Sequence, residues 1–167
     1  DISDRKTAEL EIQAKNAELA SSEAQLMQNL DELLITQKEL SRQKDEIIEI
    51  KERFELAVLG SNDGIWDWDL RTNEVYFSPR WKEMLGYKPE ELQDEFGLFD
   101  SLIHIEDKEL VRKQRNKYLN HKTNSYIVEF RMRRKDDSDA WILAKGAALF
   151  DESGKAYRMT GSHSDIA

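Results

Sequence analysis

The chain has no cysteine, which excludes a disulfide framework, thiolate catalysis and cysteine-ligated zinc. Its 2 prolines, Pro79 and Pro89, lie in the second half, and no glycine precedes Gly60. Nothing local therefore breaks a helix over the first 59 positions. Apolar runs fall well short of the roughly 18 residues of a membrane span, and no signal-peptide pattern opens the chain. A glycine-rich phosphate loop, a nucleophile elbow and a two-histidine metal motif are all missing. His104 and His121 stand without partners at ligand spacing and read as structural or surface residues. Basic residues number 25 against 34 acidic ones, for a net charge of −9. The cluster Arg131, Arg133, Arg134 and Lys135 is short and reads as the exposed face of a strand, so a nucleic-acid footprint is not expected. The numerous carboxylates fall in helical or turn positions where solvation is their role, and neither catalysis nor a metal site is expected.

What is present is a ladder. Ile12, Leu19, Leu26, Leu33, Leu40, Ile47 and Phe54 place a large apolar residue at every seventh position. A strict seven-residue repeat keeps its seam on one side only when helices supercoil. Unbroken to Leu59, such a helix is on the order of 85 Å long and needs a partner, so a homodimeric coiled coil is expected over residues 1–53. Ser3 or Asp4 is placed to cap its start and Gly60 to end it. Taken as d, the ladder leaves Asn16, Glu23, Leu30, Gln37, Lys44 and Lys51 at a. Taken as a, it leaves Lys15, Ser22, Asn29, Thr36, Gln43, Ile50 and Ala57 at d. Either second row is mostly polar, which weakens the pairing while restricting its register. Ala20, Met27, Leu34 and Ile48 lie beside the ladder and widen it.

Past Gly60 the pattern shortens. Ile65–Leu70 alternates as a strand, Arg71–Glu74 turns, and Val75–Phe77 returns. Ser78-Pro79 opens a helix with serine at the N-cap and proline at N1, and Gly86 closes it. Lys88–Leu92 begins a second short helix. Phe96 to Asp107 leads into a longer helix running to about Asn120. Three strands follow: Tyr126 to Met132, Trp141 to Phe150, and Tyr157 to Gly161. Two strands, small helices and three antiparallel strands make an α+β domain over residues 54–167.

The order and spacing of several short motifs resemble a PAS domain of the bacterial sensory subclass. They are Gly64-Ile65-Trp66-Asp67-Trp68-Asp69, Phe77-Ser78-Pro79, Trp81, Met84-Leu85-Gly86-Tyr87, Pro89-Glu90-Glu91-Leu92 and Leu102-Ile103-His104. Glu106-Asp107, Glu129-Phe130-Arg131-Met132, Trp141, Asp151-Glu152-Ser153-Gly154 and Gly161 leading to Asp165-Ile166 complete the set. The resemblance implies a five-stranded antiparallel sheet with helices on one face and a small internal cavity. It departs from the family at Ile105, where proline usually follows the histidine, and at Asp137, where the hairpin usually carries glycine.

Cavity-lining candidates are Trp66, Trp68, Phe77, Met84, Leu85, Phe130, Met132 and Trp141. Without cysteine, flavin–cysteine photochemistry and a thioester-linked chromophore are excluded. Without a histidine at residues 108–119, the family's usual haem ligand is missing. No cofactor is expected; noncovalent flavin or a small metabolite stays open. Asp165-Ile166-Ala167 and Asp1-Ile2-Ser3-Asp4 both match the junction at which such domains hand over to an output helix. The chain is therefore expected to be cut from a longer cytoplasmic or inner-membrane-anchored signalling protein. In that protein the helix would dimerise, a sensor would precede it, and Asp165 and Ile166 would pass the signal to a histidine kinase or diguanylate cyclase. The fragment itself would not be an enzyme. The rival expectation is a ligand-free domain serving as a dimerisation spacer.

Overall fold

The computed structural model describes residues 1–166. Its first element, α1, is one continuous helix, Ile2–Ser61. The cap lies earlier than expected: the Asp1 carboxylate accepts from the Ser3 N–H at 3.3 Å, so Ser3 and Asp4 are already helical. The end lies later. Gly60 stays inside α1, because an internal glycine costs only about 1 kcal/mol and is no stop by itself. Asn62 instead takes the left-handed conformation, with φ 57°, a region its short polar side chain tolerates. No side chain of α1 is buried, and each of the seven ladder residues is more than half exposed. Ion pairs at three- and four-residue spacing, Glu39–Arg42–Glu46 and Glu49–Arg53, decorate its surface. The chain divides into two compact units, Asp1–Phe54 and a second that begins at Glu55.

The second unit is an α+β domain. Its strands are β1 (Gly64–Asp69), β2 (Glu74–Phe77), β3 (Tyr126–Arg133), β4 (Asp139–Phe150) and β5 (Ala156–Asp165). They form one antiparallel sheet in the order β2-β1-β5-β4-β3. The first and last strands in sequence thus become neighbours at the centre. Helices α2 (Pro79–Met84), α3 (Phe96–Leu102) and α4 (Lys108–Leu119), with a single 3-10 turn at Pro89–Glu91, fill the connection from β2 to β3. Ser78 caps α2 as expected, its hydroxyl accepting from the Trp81 N–H at 3.3 Å.

Two elements differ from the sequence-based expectation. The segment from Phe96 forms a helix of its own, α3, despite Gly97 in its first turn. The final strand continues past Gly161 to Asp165, because Gly161, Ser162, His163 and Ser164 all find ladder partners on both β1 and β4 or on β4. At the β3–β4 hairpin Asp137 does adopt a positive φ of 64°. The turn is tied by Asp136, whose carboxylate accepts from the Ser138 N–H at 3.0 Å and its hydroxyl at 2.6 Å.

One sheet face carries the core. Trp66, Val75, Phe77, Tyr126, Val128, Phe130, Met132, Ala140, Ile142, Ala144 and Met159 are buried from the strands. Trp81, Met84 and Leu85 join from α2 and its end, Phe99 and Leu102 from α3, and Val111 and Tyr118 from α4. The inward positions of β4 and β5 include Ala140, Ala144, Gly146, Ala148 and Gly161. That run of small residues leaves room in mid-sheet for larger neighbours.

Candidate functional site: an aromatic cavity with donors and no carboxylate

Trp66 fills that room. Its indole lies over Gly146 and Gly161, which face each other in the β4–β5 ladder. A Cβ on Gly161 would stand 2.5 Å from the Trp66 ring and 2.1 Å from the Lys145 carbonyl; one on Gly146 would stand 2.9 Å from the same ring. Glycine is required at both positions by close approach.

Beside Trp66 lies a cavity of ≈30 Å³ walled by Trp68, Val75, Phe77, Phe96, Phe99, Arg115, Tyr126 and His163. That is room for about one water or a solute of similar size, by the measure of about 30 Å³ per liquid water. Trp66, Val75, Phe77, Phe99, Tyr126 and His163 are buried, whereas Trp68, Phe96 and Arg115 are only half-buried. The cavity therefore faces solvent at the Trp68–Phe96–Arg115 end.

His163 is the inward residue of β5 opposite Gly64 and Ala144. The Trp81 indole N–H donates to its Nδ1 at 2.8 Å, so the neutral ring carries its proton on Nε2. Burial among Trp66, Trp81, Phe99 and Phe130 pushes its pKa down to about 3. Tyr126 packs edge-on to Trp66 at 6.3 Å, and burial pushes its phenol up to about 12. Arg115 projects from the buried stripe of α4, at i+4 from Val111 and i−3 from Tyr118. Its guanidinium lies over the rings of Trp68 and Phe96, at 5.5 and 5.1 Å. Burial lowers its pKa, and no ion pair offsets that among the described residues. Trp66 Nε1 is the one buried side-chain nitrogen or oxygen among them that has no hydrogen-bond partner.

Of the eight candidates drawn from the sequence, Trp66, Trp68 and Phe77 line this cavity. Met84, Leu85, Phe130 and Met132 are buried in the surrounding core, and Trp141 is 45% exposed, with Arg131 over its ring. The residues that sequence reasoning missed are Arg115, Tyr126, His163, Phe96, Phe99 and Val75. Helical spacing from Val111 and strand alternation from Met159 were the available signals for Arg115 and His163. A flavin's three-ring system does not fit the space between these walls. His163 offers no Nδ1 to a metal, and no group of three histidine or acidic side chains among the described residues could hold one.

Outside the cavity, the basic cluster is largely neutralised. Arg131 makes a bidentate pair with Asp107 at 2.8–2.9 Å and reaches Glu106; this pairing lowers the Asp107 pKa. Arg134 pairs with Asp165 at 2.7 Å and Lys135 with Glu91 at 2.5 Å. Asp165 thus ends β5 bound to the β3–β4 turn, and the Ile166 N–H donates to the Trp141 carbonyl at 2.9 Å. Ala167, the last residue of the expected junction, lies outside the described residues. Just inside, Ser164 donates to the Asp63 carboxylate at 2.7 Å. That bond joins the end of β5 to the two-residue link between α1 and β1.

A model of the PAS fold matches residues 74–163, more than half of the chain, and the chain belongs to that family. It is 28% identical over 115 residues to the sensor protein FixL of Bradyrhizobium diazoefficiens, covering 69% of this chain and 22% of the relative. The chain thus spans about a fifth of that relative's length. Among solved structures, a sensory box histidine kinase/response regulator from Burkholderia thailandensis is 38% identical, with a TM-score of 0.61 over 68% of this chain and 84% of that one. The N-terminal domain of a diguanylate cyclase with a PAS/PAC sensor from Marinobacter aquaeolei shares the fold at 21% identity, with a TM-score of 0.55 over 62% and 94%. The class defined by fold and site is a signalling sensor domain. No described helix is long and apolar enough to cross a membrane.

Proposed function

We propose that this chain is a cytoplasmic sensor and relay module, paired through α1 into a parallel homodimer and coupled to an output enzyme elsewhere on the same polypeptide. That output is a histidine kinase or a diguanylate cyclase, the two classes in which its relatives are found. The observation that carries the reading is the Asp63–Ser164 hydrogen bond. It binds the exit of the input helix to the exit of the last strand, one residue from His163 in the cavity wall. A change in the cavity and a change in the helix thereby act on the same pair of strands. The exposed ladder of α1 supports dimerisation: an apolar seam of seven large residues, none of them buried within its own chain.

A spacer without a ligand is the rival reading, and the small volume of the cavity favours it. Light scattering on the 167-residue chain at micromolar concentration tests the dimer. A dimer is expected, with Leu26→Asp/Leu33→Asp monomeric and its sheet signal intact. A monomeric parent chain contradicts the relay and the spacer alike.

A further inference from the structure

We propose that α1 carries a self-complementary charge pattern over residues 36–54 that selects a second copy of this chain, lying parallel, with the ladder at a. The proposal rests on the homodimer reading above and names the register and the pairing residues that it leaves open.

The two frames that fit the ladder differ most in this half of the helix. With Leu40, Ile47 and Phe54 at d, Lys44 and Lys51 occupy a, and each meets its own copy across the axis of a parallel pair. A single lysine at a is tolerated at a cost in stability; two in successive heptads set like charges together twice. With the ladder residues at a, the d row holds Thr36, Gln43 and Ile50, none of them charged. The two lysines then move to e, and the g row reads Glu32, Glu39 and Glu46. A g residue and the e residue of the following heptad, five positions on, flank the seam from opposite helices. Glu39 therefore faces Lys44 of the partner subunit, Glu46 faces Lys51 of the partner subunit, and the two-fold axis repeats both pairs. An antiparallel pair instead brings g against g and e against e, glutamate to glutamate and lysine to lysine.

The structure places these side chains for that role. Glu39 and Glu46 are 50% and 56% exposed, and Arg42 pairs with both, holding them along one flank of the helix. With the ladder at a, Arg42 lies at c, outside the seam. A carboxylate accepts up to about four hydrogen bonds, so each glutamate keeps acceptors for a lysine. Ahead of residue 36 the pattern stops: the same frame sets Glu18 against Glu23 of the partner subunit and leaves Leu30 beside the seam.

Two variants of the 167-residue chain, sedimented alone and mixed, test this. Glu39→Lys/Glu46→Lys makes both flanks of the segment basic, and Lys44→Glu/Lys51→Glu makes both acidic. Each alone should dimerise about tenfold or more weakly than the parent chain, because every one of these individually weak pairs turns repulsive. Mixed in equal amounts, they should form a heterodimer about as tightly as the parent pairs with itself, and about 1 M salt should erase the preference. Losing the Arg42 pairs weakens a helix in any register, so recovery on mixing is the readout that such a loss does not predict. With the ladder at d, Glu39 and Glu46 sit at c, away from the partner; in an antiparallel pair, their reversal exchanges one like-charge contact for another. A dimeric parent whose first variant dimerises as tightly, or a mixture no tighter than its components, would overturn the assignment and leave the homodimer standing. A monomeric parent would overturn both.

Discussion

Trp66 and His163 share the centre of the sheet, and each shows what a single side chain imposes on the rest. The indole requires glycine at 146 and 161, because a methyl on either backbone would enter its ring. Gly161→Ala also drives a Cβ into the Lys145 carbonyl, which no rotamer relieves. It should cost about 3 kcal/mol, the upper range for overpacking, measured by urea denaturation. His163 is kept neutral by burial, its pKa near 3. The unfolded chain binds a proton there from about pH 6.5 downward, the folded chain only near its depressed value. Between the two the unfolded state holds more protons, so stability rises with pH and is lost as pH falls. From about pH 7 to pH 5 the loss should be about 2 kcal/mol. No carboxylate lines the cavity to oppose it, and burial alone sets the shift. His163→Asn, which keeps an acceptor for Trp81, should flatten that slope; an unchanged slope in the variant contradicts the assignment.

The same two residues mark the limits of the sequence. Trp66 stands in a clean alternating strand and was legible. His163 follows Met159 and Gly161 on a strand whose inward positions include no second large apolar residue, so periodicity stopped early. Arg115 sits on the buried stripe of α4, but a cation there reads as helix-end charge until its neighbours are known.

At the scale of elements, the approach to α3 is held by one lysine. Lys82 on α2 is buried, donates to the carbonyls of Pro89 and Leu92, at 3.3 and 3.1 Å, and forms an ion pair with Asp94 at 2.8 Å. The ion pair offsets the buried charge, and the two hydrogen bonds pin the segment leading to Phe96 at the cavity mouth. Lys82→Met keeps the apolar stem and removes the pins. It should cost about 2 kcal/mol, the scale of hydrogen bonds to a charged group, and raise hydrogen exchange selectively at residues 89–96. Uniform exchange across the domain would show that Lys82 does not hold this segment. The alternating strands and the capped α2 were readable because local chemistry determines them. The helix α3 was not: seven residues with an internal glycine acquire their helicity from packing Phe99 and Leu102 into the core.

For the whole molecule, the sheet order brings the first and last strands together, and the two ends of the domain with them. The Asp63–Ser164 bond sits where those ends meet. The seven-residue ladder was legible from sequence alone, since nothing but spacing is needed to see it; the meeting of the ends depends on sheet topology, which spacing does not encode. In the dimer proposed above, a polar second row would give few strong a–d contacts, so alternative packings would lie close in energy for a small bias to shift. The central claim is that the ladder is the seam of a parallel dimer. Because the chain has no cysteine, single cysteines placed one at a time from Leu19 to Arg42 and oxidised read that seam directly. Leu19→Cys, Leu26→Cys, Leu33→Cys and Leu40→Cys should cross-link efficiently, and Gln28→Cys and Arg42→Cys, about 200° round the helix, should not. A yield that shows no seven-residue period, or that peaks away from the ladder, would contradict the account.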